Sequence, residues 1–412
     1  MPDGLSPLGG RRTLTLADEL LIDIAIKIQL PPGLYALALD RYQTISDWME
    51  RPGSPLRGLI DQIHAQGSVF IGATIRCRDD EDLFDLDMVA ELLVSEWIEP
   101  EAALDLVEEA LAGAKGSRYW DKTDRQTRCV TVEYAEMHID VTPIVRLANT
   151  PNRVGHIFHA KKGTPVSQHR RIQANPWGFG RWYAGRTPAD DWFGDLLLER
   201  ALSGDRIVAK SADVEPLPGQ KELYRKARAT VALQLIKRHV QMLYERRPNL
   251  RRPPSVALSC SVGWNAGGER TLLDEVIHQA AAFRAELINA NATAEHVEIR
   301  NPAWEPDLFT DRWPENLDTQ RLFINDLNRF IAALEKARTA TNDELERIFA
   351  TLFGERVTTD VLIEKAAREG ARFSAVGPSV QPRSGRVIAS TSTLGAGSAI
   401  RPREQTFFGS DS

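Results

Sequence analysis

Between Ser68 and Ile144 apolar and polar residues alternate in short runs, the period-two pattern of strands. On either side of that window the apolar positions recur every three or four residues, as in helices. In Phe84-Asp85-Leu86-Asp87-Met88-Val89 the alternation puts Asp85 and Asp87 on one face and turns Leu86 and Met88 to the core. Met137-His138-Ile139-Asp140-Val141-Thr142 repeats it, with His138, Asp140 and Thr142 opposite the buried set, and Cys129-Val130-Thr131-Val132-Glu133-Tyr134 reads as its hairpin partner. Glu101 to Ala114 intervenes as a helix, with Leu104, Val107, Ala110 and Leu111 at helical spacing. This part of the chain is therefore mixed α/β.

Thr15 to Gln29 predicts a helix through Leu16, Leu20, Leu21, Ile24, Ile26 and Ile28, ended by Pro31-Pro32, and Gly33 to Glu50 predicts a second. Both are expected to pack beside the sheet. A long helix from Gln220 to Arg246, apolar at Leu223, Ala227, Val231, Leu235, Val240 and Leu243, opens a mostly helical second lobe. Val256 to Val262 is a buried apolar segment, and Leu272 to Leu287 and Leu317 to Ala337 are further helices. Residues 1–12, rich in Gly and Pro, are expected to be poorly ordered. Beyond Arg372 the chain turns to Ser, Gly, Pro, Thr and Arg, a composition that cannot bury enough surface to offset chain entropy, so a flexible tail is expected. Its Phe407-Phe408-Gly409 reads either as incidental aromatics or as a docking peptide. The division is 13–215, 216–372 and a tail at 373–412.

Composition changes this picture little. A chain of 412 residues, 42% hydrophobic and 26% charged, has ample core for two lobes. No run approaches the length of a membrane span, and Met1-Pro2-Asp3-Gly4 is not a secretory start, so a cytoplasmic protein without a membrane partner is expected. Cys77, Cys129 and Cys260 share no metal-type spacing and read as reduced thiols. A net charge of −6 speaks against a protein that grips duplex nucleic acid, and no nucleic-acid activator is expected. Basic residues cluster only locally, at Lys161-Lys162, His169-Arg170-Arg171, Arg246-Arg247 and Arg251-Arg252.

The candidate chemistry lies on the strands. Two carboxylates on one face make a hard oxygen site of the kind Mg²⁺ prefers, completed by water and substrate phosphate. A second metal needs a third carboxylate, and Asp140 fits. Upstream, Gly67-Ser68 supplies close backbone approach and a hydroxyl for phosphate oxygens. An isolated Asp-x-Asp is usually a solvated edge, and Gly-Ser alone is more often a loop. Their order and strand context, with the third strand-borne Asp, give the combination its weight.

From about Leu20 to Phe353 the chain resembles the bacterial antiphage nucleotidyltransferases related to cyclic GMP-AMP synthase and the bacterial dinucleotide cyclases. The resemblance rests on Gln66-Gly67-Ser68, Gly72-Ala73-Thr74, Asp85-Leu86-Asp87 and Asp140-Val141-Thr142-Pro143. It continues in Asn175-Pro176-Trp177-Gly178-Phe179-Gly180-Arg181-Trp182-Tyr183, Asn301-Pro302 and Phe309-Thr310-Asp311-Arg312-Trp313-Pro314. The chain departs from the family pattern where Ala73 intervenes in Gly72-Ala73-Thr74 and where the acidic Asp79-Asp80-Glu81-Asp82 lies just before the metal pair, which makes that loop polar.

The resemblance implies an α+β, two-lobed polymerase-β-like fold, with a mixed-sheet catalytic core and a mostly helical lobe that closes over nucleotides. It implies Asp85, Asp87 and Asp140 as catalytic metal ligands for two Mg²⁺ (or Mn²⁺) per active site. Gln66, Gly67, Ser68, Lys237 and Ser255 would bind nucleoside triphosphates, ATP among them. The expected product is a cyclic di- or trinucleotide, with pyrophosphate released. An operon-encoded regulatory protein at the C-terminal tail is a further implied partner. Trp177, Phe179, Trp182 and Tyr183 read as lobe-packing residues rather than base-stacking ones, and His138 as either a neighbour of the metal site or a packed histidine. Two other readings are a linear RNA- or protein-directed nucleotidyltransferase, for which a basic channel is wanting, and a catalytically silent nucleotide-binding regulator. Three clustered carboxylates speak against the latter, since without a cation they repel one another.

Overall fold

Thr15 starts the first helix by a reciprocal cap: its hydroxyl accepts from the Asp18 backbone N–H, and the Asp18 carboxylate accepts from Thr15. In the computed structural model, which describes residues 14–76, 83–151, 153–208, 224–376 and two short strands beyond, this helix is α1 (Leu16–Ile28). It does not pack on the sheet as expected. Leu20, Leu21, Ile24 and Ile28 enter the core of the helical lobe. Its buried carboxylates explain the choice, because their partners are there: Asp18 accepts from the Leu273 backbone N–H at 3.0 Å and Asp23 from Arg200 Nε at 2.9 Å. Only α2 (Pro32–Met49) joins the sheet core, through Ala38, Ile45 and Met49.

The sheet carries the site. It is built from β1 (Ile60–Gln66), β2 (Phe84–Leu92), β3 (Thr123–Arg125), β4 (Val130–Glu133), β5 (Met137–Arg146), β6 (Gly155–His159) and β7 (Arg170–Ala174), with α3 (Gly67–Phe70) directly after β1 and α4 (Pro100–Ala112) covering one face. The order is β1-β2-β5-β4-β3, with β6 added to the far half of β5 and β7 to β6. β2 and β5 are parallel and every other pair is antiparallel, so the sheet is mixed. Leu86, Met88, Val130, Val132, Ile139 and Val141 are the buried alternate positions.

The second core gathers α1, α5 (Pro176–Arg186), α6 (Asp191–Val208), α7 (Arg228–Glu245), α8 (Ser255–Asn265), α9 (Leu272–Ala292), α10 (Leu317–Ala337), α11 (Asn342–Phe353) and α12 (Glu355–Val376). A small hairpin, β8 (Arg300–Asn301) with β9 (Trp304–Leu308), ties this lobe to α5: Asn175 N–H donates to Asp307 at 3.0 Å, and Asn301 Nδ2 donates to Asn175 O at 2.9 Å. The expected long helix begins at Arg228, because Ala227 is in extended conformation and the preceding chain places Lys226 Nζ 3.1 Å from Gln29 Oε1. Residues 209–223, including the predicted boundary at 215 and helix start at Gln220, lie outside the described set. So do residues 1–13, the acidic loop at 77–82 and Phe407-Phe408-Gly409. The tail expected from residue 373 instead begins with the last turn of α12, which runs to Val376, and Ser379–Val380 (β10) pairs with Val387–Ile388 (β11). Among the described residues no helix is long and apolar enough to cross a membrane.

Candidate active site

Register brings the carboxylates together. In the β2/β5 pair, Asp87 lies opposite Asp140 and Asp85 opposite His138, so the three acids project from adjacent strands on one face. Thr131, opposite Asp140 on β4, donates its hydroxyl to Asp140 Oδ1 at 2.5 Å, and the Cys129 thiol donates to the same carboxylate. These bonds hold Asp140 in place. Asp85 is the most solvated of the three, with His138 Nδ1 at 3.7 Å from its Oδ1.

Burial raises Asp87 first, then the charges of Asp140 and Asp85, while Lys237 opposes them; the result is a carboxyl pushed up to about 7. Burial also raises Asp140, against the pull of Thr131 and Cys129. The Cys129 thiol is held protonated by burial and by Asp140.

Gly67 heads α3 with φ +57°, a left-handed backbone that favours glycine, and a Cβ there would collide with the Asp87 carboxylate. The loop following Ser68 is closed by Ala73 N–H donating to Ser68 O at 2.8 Å and Thr74 Oγ1 to Ser68 Oγ at 3.3 Å. The helical lobe grips the same loop: Lys237 Nζ donates to Ala73 O at 2.8 Å and Gln234 Nε2 to Thr74 O at 3.0 Å. Below it Phe70 stacks on Trp177, centroids 5.1 Å apart, and Phe179 packs edge-on against Phe309 at 5.0 Å, so these aromatics pack as the sequence suggested.

The result is a cleft of about 260 Å³ bringing together Ser68, Asp85, Asp87, Asp140, Lys237 and Ser255. Gln66 is not in its lining; its amide donates to Thr142 Oγ1 at 3.0 Å and ties β1 to β5. Gly67 stands behind Asp87. The sequence reading did not single out Arg76 or Gln241, which also line the cleft, and it named Arg252 only as part of a basic cluster. Gln241 was findable, since it follows Lys237 by four residues and shares its helix face. A second cavity of about 380 Å³, on the far side of Phe70 and Gly72, holds Lys226 but no acidic side chain.

The donor set fits a hard divalent cation: three carboxylates share one face, and the charges of Asp140 and Asp85 add to the burial that raises Asp87. Among the described residues no group of three acidic, histidine or cysteine side chains already encloses a metal position. Asp87 and Asp140 stand side by side, and the solvated Asp85 reaches out from the same face.

A mixed sheet bearing three strand-borne carboxylates, a Gly-Ser turn entering a short helix and a helical lobe supplying a lysine together define a polymerase-β-like nucleotidyltransferase. Residues 61–144 match the family described as the nucleotidyltransferase domain of cyclic GMP-AMP synthase DncV-like proteins. The chain is 40% identical over 345 residues to the cyclic dinucleotide synthase CdnG of Bradyrhizobium diazoefficiens, spanning 83% of this chain and 81% of that protein. The solved structure of that CdnG in complex with GTP aligns with a TM-score of 0.75 at 37% identity, over 86% of this chain and 98% of that one. The structure of Escherichia coli MS115-1 CdnC with ATP shares the fold at a TM-score of 0.52 and 14% identity, over 82% of this chain and 98% of that one. The chain belongs to the DncV-like nucleotidyltransferase family of cyclic oligonucleotide synthases.

Proposed function

We infer that the protein condenses nucleoside triphosphates into a cyclic di- or trinucleotide second messenger that serves antiphage defence. The observation that carries the chemistry is the Asp87–Asp140 register pair, faced across one cleft by Lys237 and Ser255. The GTP held by CdnG supports a nucleoside triphosphate as ligand and GTP as one substrate. The resemblance adds ATP.

In each condensation a ribose hydroxyl oxygen bonds to the α-phosphorus of a second nucleotide, the α–β phosphoanhydride bond breaks, pyrophosphate departs and the hydroxyl proton is lost. The work of the protein is positioning and charge neutralisation. Asp85, Asp87 and Asp140 would hold two Mg²⁺ or Mn²⁺ ions, which when bound neutralise the triphosphate and acidify the attacking hydroxyl. Asp140, fixed by Thr131 and Cys129, is the carboxylate we assign beside the departing proton. Ser68 and the backbone at Gly67 would hold the terminal phosphates, with Lys237 and Ser255 closing on them from the helical lobe.

Incubating the purified chain with labelled ATP and GTP and either metal, then with phosphatase, tests the reading by mass spectrometry of what survives. Resistant cyclic products support it; only linear, phosphatase-sensitive products sink it. Phage challenge of cells expressing the parent or the Asp87→Ala variant tests the defence role, which fails if both protect equally.

A further inference from the structure

Gln241 lies on α7 one turn beyond Lys237, and both border the acidic cleft with Ser68, Arg252 and Ser255. It is only 6% exposed, and neither its Nε2 nor its Oε1 has a hydrogen-bond partner. A buried amide unpaired at both ends is uncommon, because desolvating it without a partner costs free energy. Other buried glutamines of this lobe avoid the full cost. Gln234, on the same helix, donates Nε2 to Thr74 O at 3.0 Å, and Gln279 donates Nε2 to Asn265 O at 3.1 Å.

The surroundings indicate what is missing. Apart from the carboxylates, the polar groups lining the cleft are Ser68, Arg76, Lys237, Gln241, Arg252 and Ser255, every one able to donate a hydrogen bond. Ser255 opens α8, whose cap residue Pro254 offers no side-chain acceptor to the first-turn N–H groups. Such a lining suits a polyanion. Both amide atoms are covered as the side chain stands, so Nε2 reaches an accepting phosphate oxygen at that wall only when the side chain turns.

We propose that Gln241 binds the terminal phosphates of the incoming nucleoside triphosphate, Nε2 donating to a non-bridging oxygen between Lys237 and Ser255. The proposal rests on reading the cleft as a nucleotidyltransferase site. Three side-chain torsions let the amide turn to the phosphate without a backbone shift. A neutral donor there orients the pyrophosphate group without adding a cation that would hold the leaving group back.

The test compares Gln241→Met, which keeps bulk and removes the amide, with Gln241→Glu, which turns the donor into an anion. Binding of GTP, GDP and GMP to the full chain with Mg²⁺ is measured by calorimetry. Gln241→Met should weaken GTP by about tenfold and GMP by less than about twofold, and Gln241→Glu should weaken GTP by on the order of a hundredfold. Equal weakening of all three nucleotides would make Gln241 a packing residue, and parent-like GTP binding by both variants would put its amide out of reach of the triphosphate. Either result overturns the proposal. Binding is read apart from turnover, so a parent that makes only linear products defeats the cyclase reading while a lost preference for GTP over GMP in Gln241→Met still upholds this contact.

Discussion

The two lobes deliver their groups to the cleft by different physical routes. In the sheet lobe the delivery is local: alternation puts Asp85 and Asp87 on one face, and parallel register sets Asp140 beside Asp87. In the helical lobe it is global. Lys237 sits on α7, thirteen of whose eighteen residues are buried, so the helix is fixed by packing on nearly all sides and its lysine is fixed with it. Arg238, fully buried, donates Nε to Phe353 O at 2.8 Å, and His239 stacks on Phe330 at 4.1 Å. A sheet that presents anions and a helical lobe that presents donors face each other across one cleft, which is the basis of the proposed triphosphate site.

The sharpest way to break this comparison is to remove one acid from the sheet. Asp87→Ala should lower product formation by on the order of a thousandfold or more while circular dichroism and melting stay close to the parent, since a site group is lost and no core residue is touched. Retained synthesis would mean the strand face is not where the chemistry occurs. On the helical side Lys237→Ala should cost about 10- to 100-fold in kcat/KM, the worth of a charge-assisted bond to phosphate, and shrink the rise in Tm produced by nucleotide with Mg²⁺. A parent-like Tm rise would show the helical lobe to be a scaffold only.

The same contrast governs what could be read from the sequence. The acidic triad and Ser68 were legible because strand period and short-range order are written in neighbouring residues. Ser255 and Lys237 came only through the family resemblance; a lysine on an apolar-spaced helix looks like any solvated lysine. Helical period marked α1 as apolar but not which core it would join, and that was decided by Asp18 and Asp23 finding partners on α9 and α6. Gln66 was assigned to the nucleotide through the family's Gln-Gly-Ser pattern; register does set it beside Asp87, but its amide is taken up by Thr142. Gln241 shares the helix face of Lys237 and could be found once that lysine was assigned, whereas Arg76 reaches the acids through its bridge to Phe84, a pairing not written in neighbouring residues.

Where the lobes meet, Gly180 of α5 gives a smaller and more specific effect. A Cβ there would strike the ring of Phe70, which is held by Trp177 under the loop that follows Ser68. Gly180→Ala gains about 1 kcal/mol of helix propensity but overpacks by about 1–3 kcal/mol, so a net loss near 1 kcal/mol is expected, about 2–4 °C in Tm. KM for the nucleotide should rise as Ser68 shifts. An unchanged KM with a lowered Tm would separate loop placement from lobe packing.

The smallest expected effect concerns the crowding of the acids themselves. The Asp87 carboxyl, ordinarily near 3.8, is pushed up to about 7 by burial, Asp140 and Asp85. Its folded value lies above its unfolded one, so ionising it costs folding free energy: the cost is absent where both states are protonated, grows as pH rises past the unfolded value and is complete above the folded value. In the presence of a chelator, Asp87→Asn should therefore melt above the parent at pH 8, by a few degrees at most, and the gain should fade as pH drops through 7 toward 4. Saturating Mg²⁺ should cancel or reverse the difference at pH 8, because a cation that binds the parent's carboxylates stabilises the parent by mass action. If the asparagine variant melts below the parent in chelator at pH 8, the carboxylate is held by favourable partners rather than strained by its neighbours, and the repulsion that suits this site to a metal is absent.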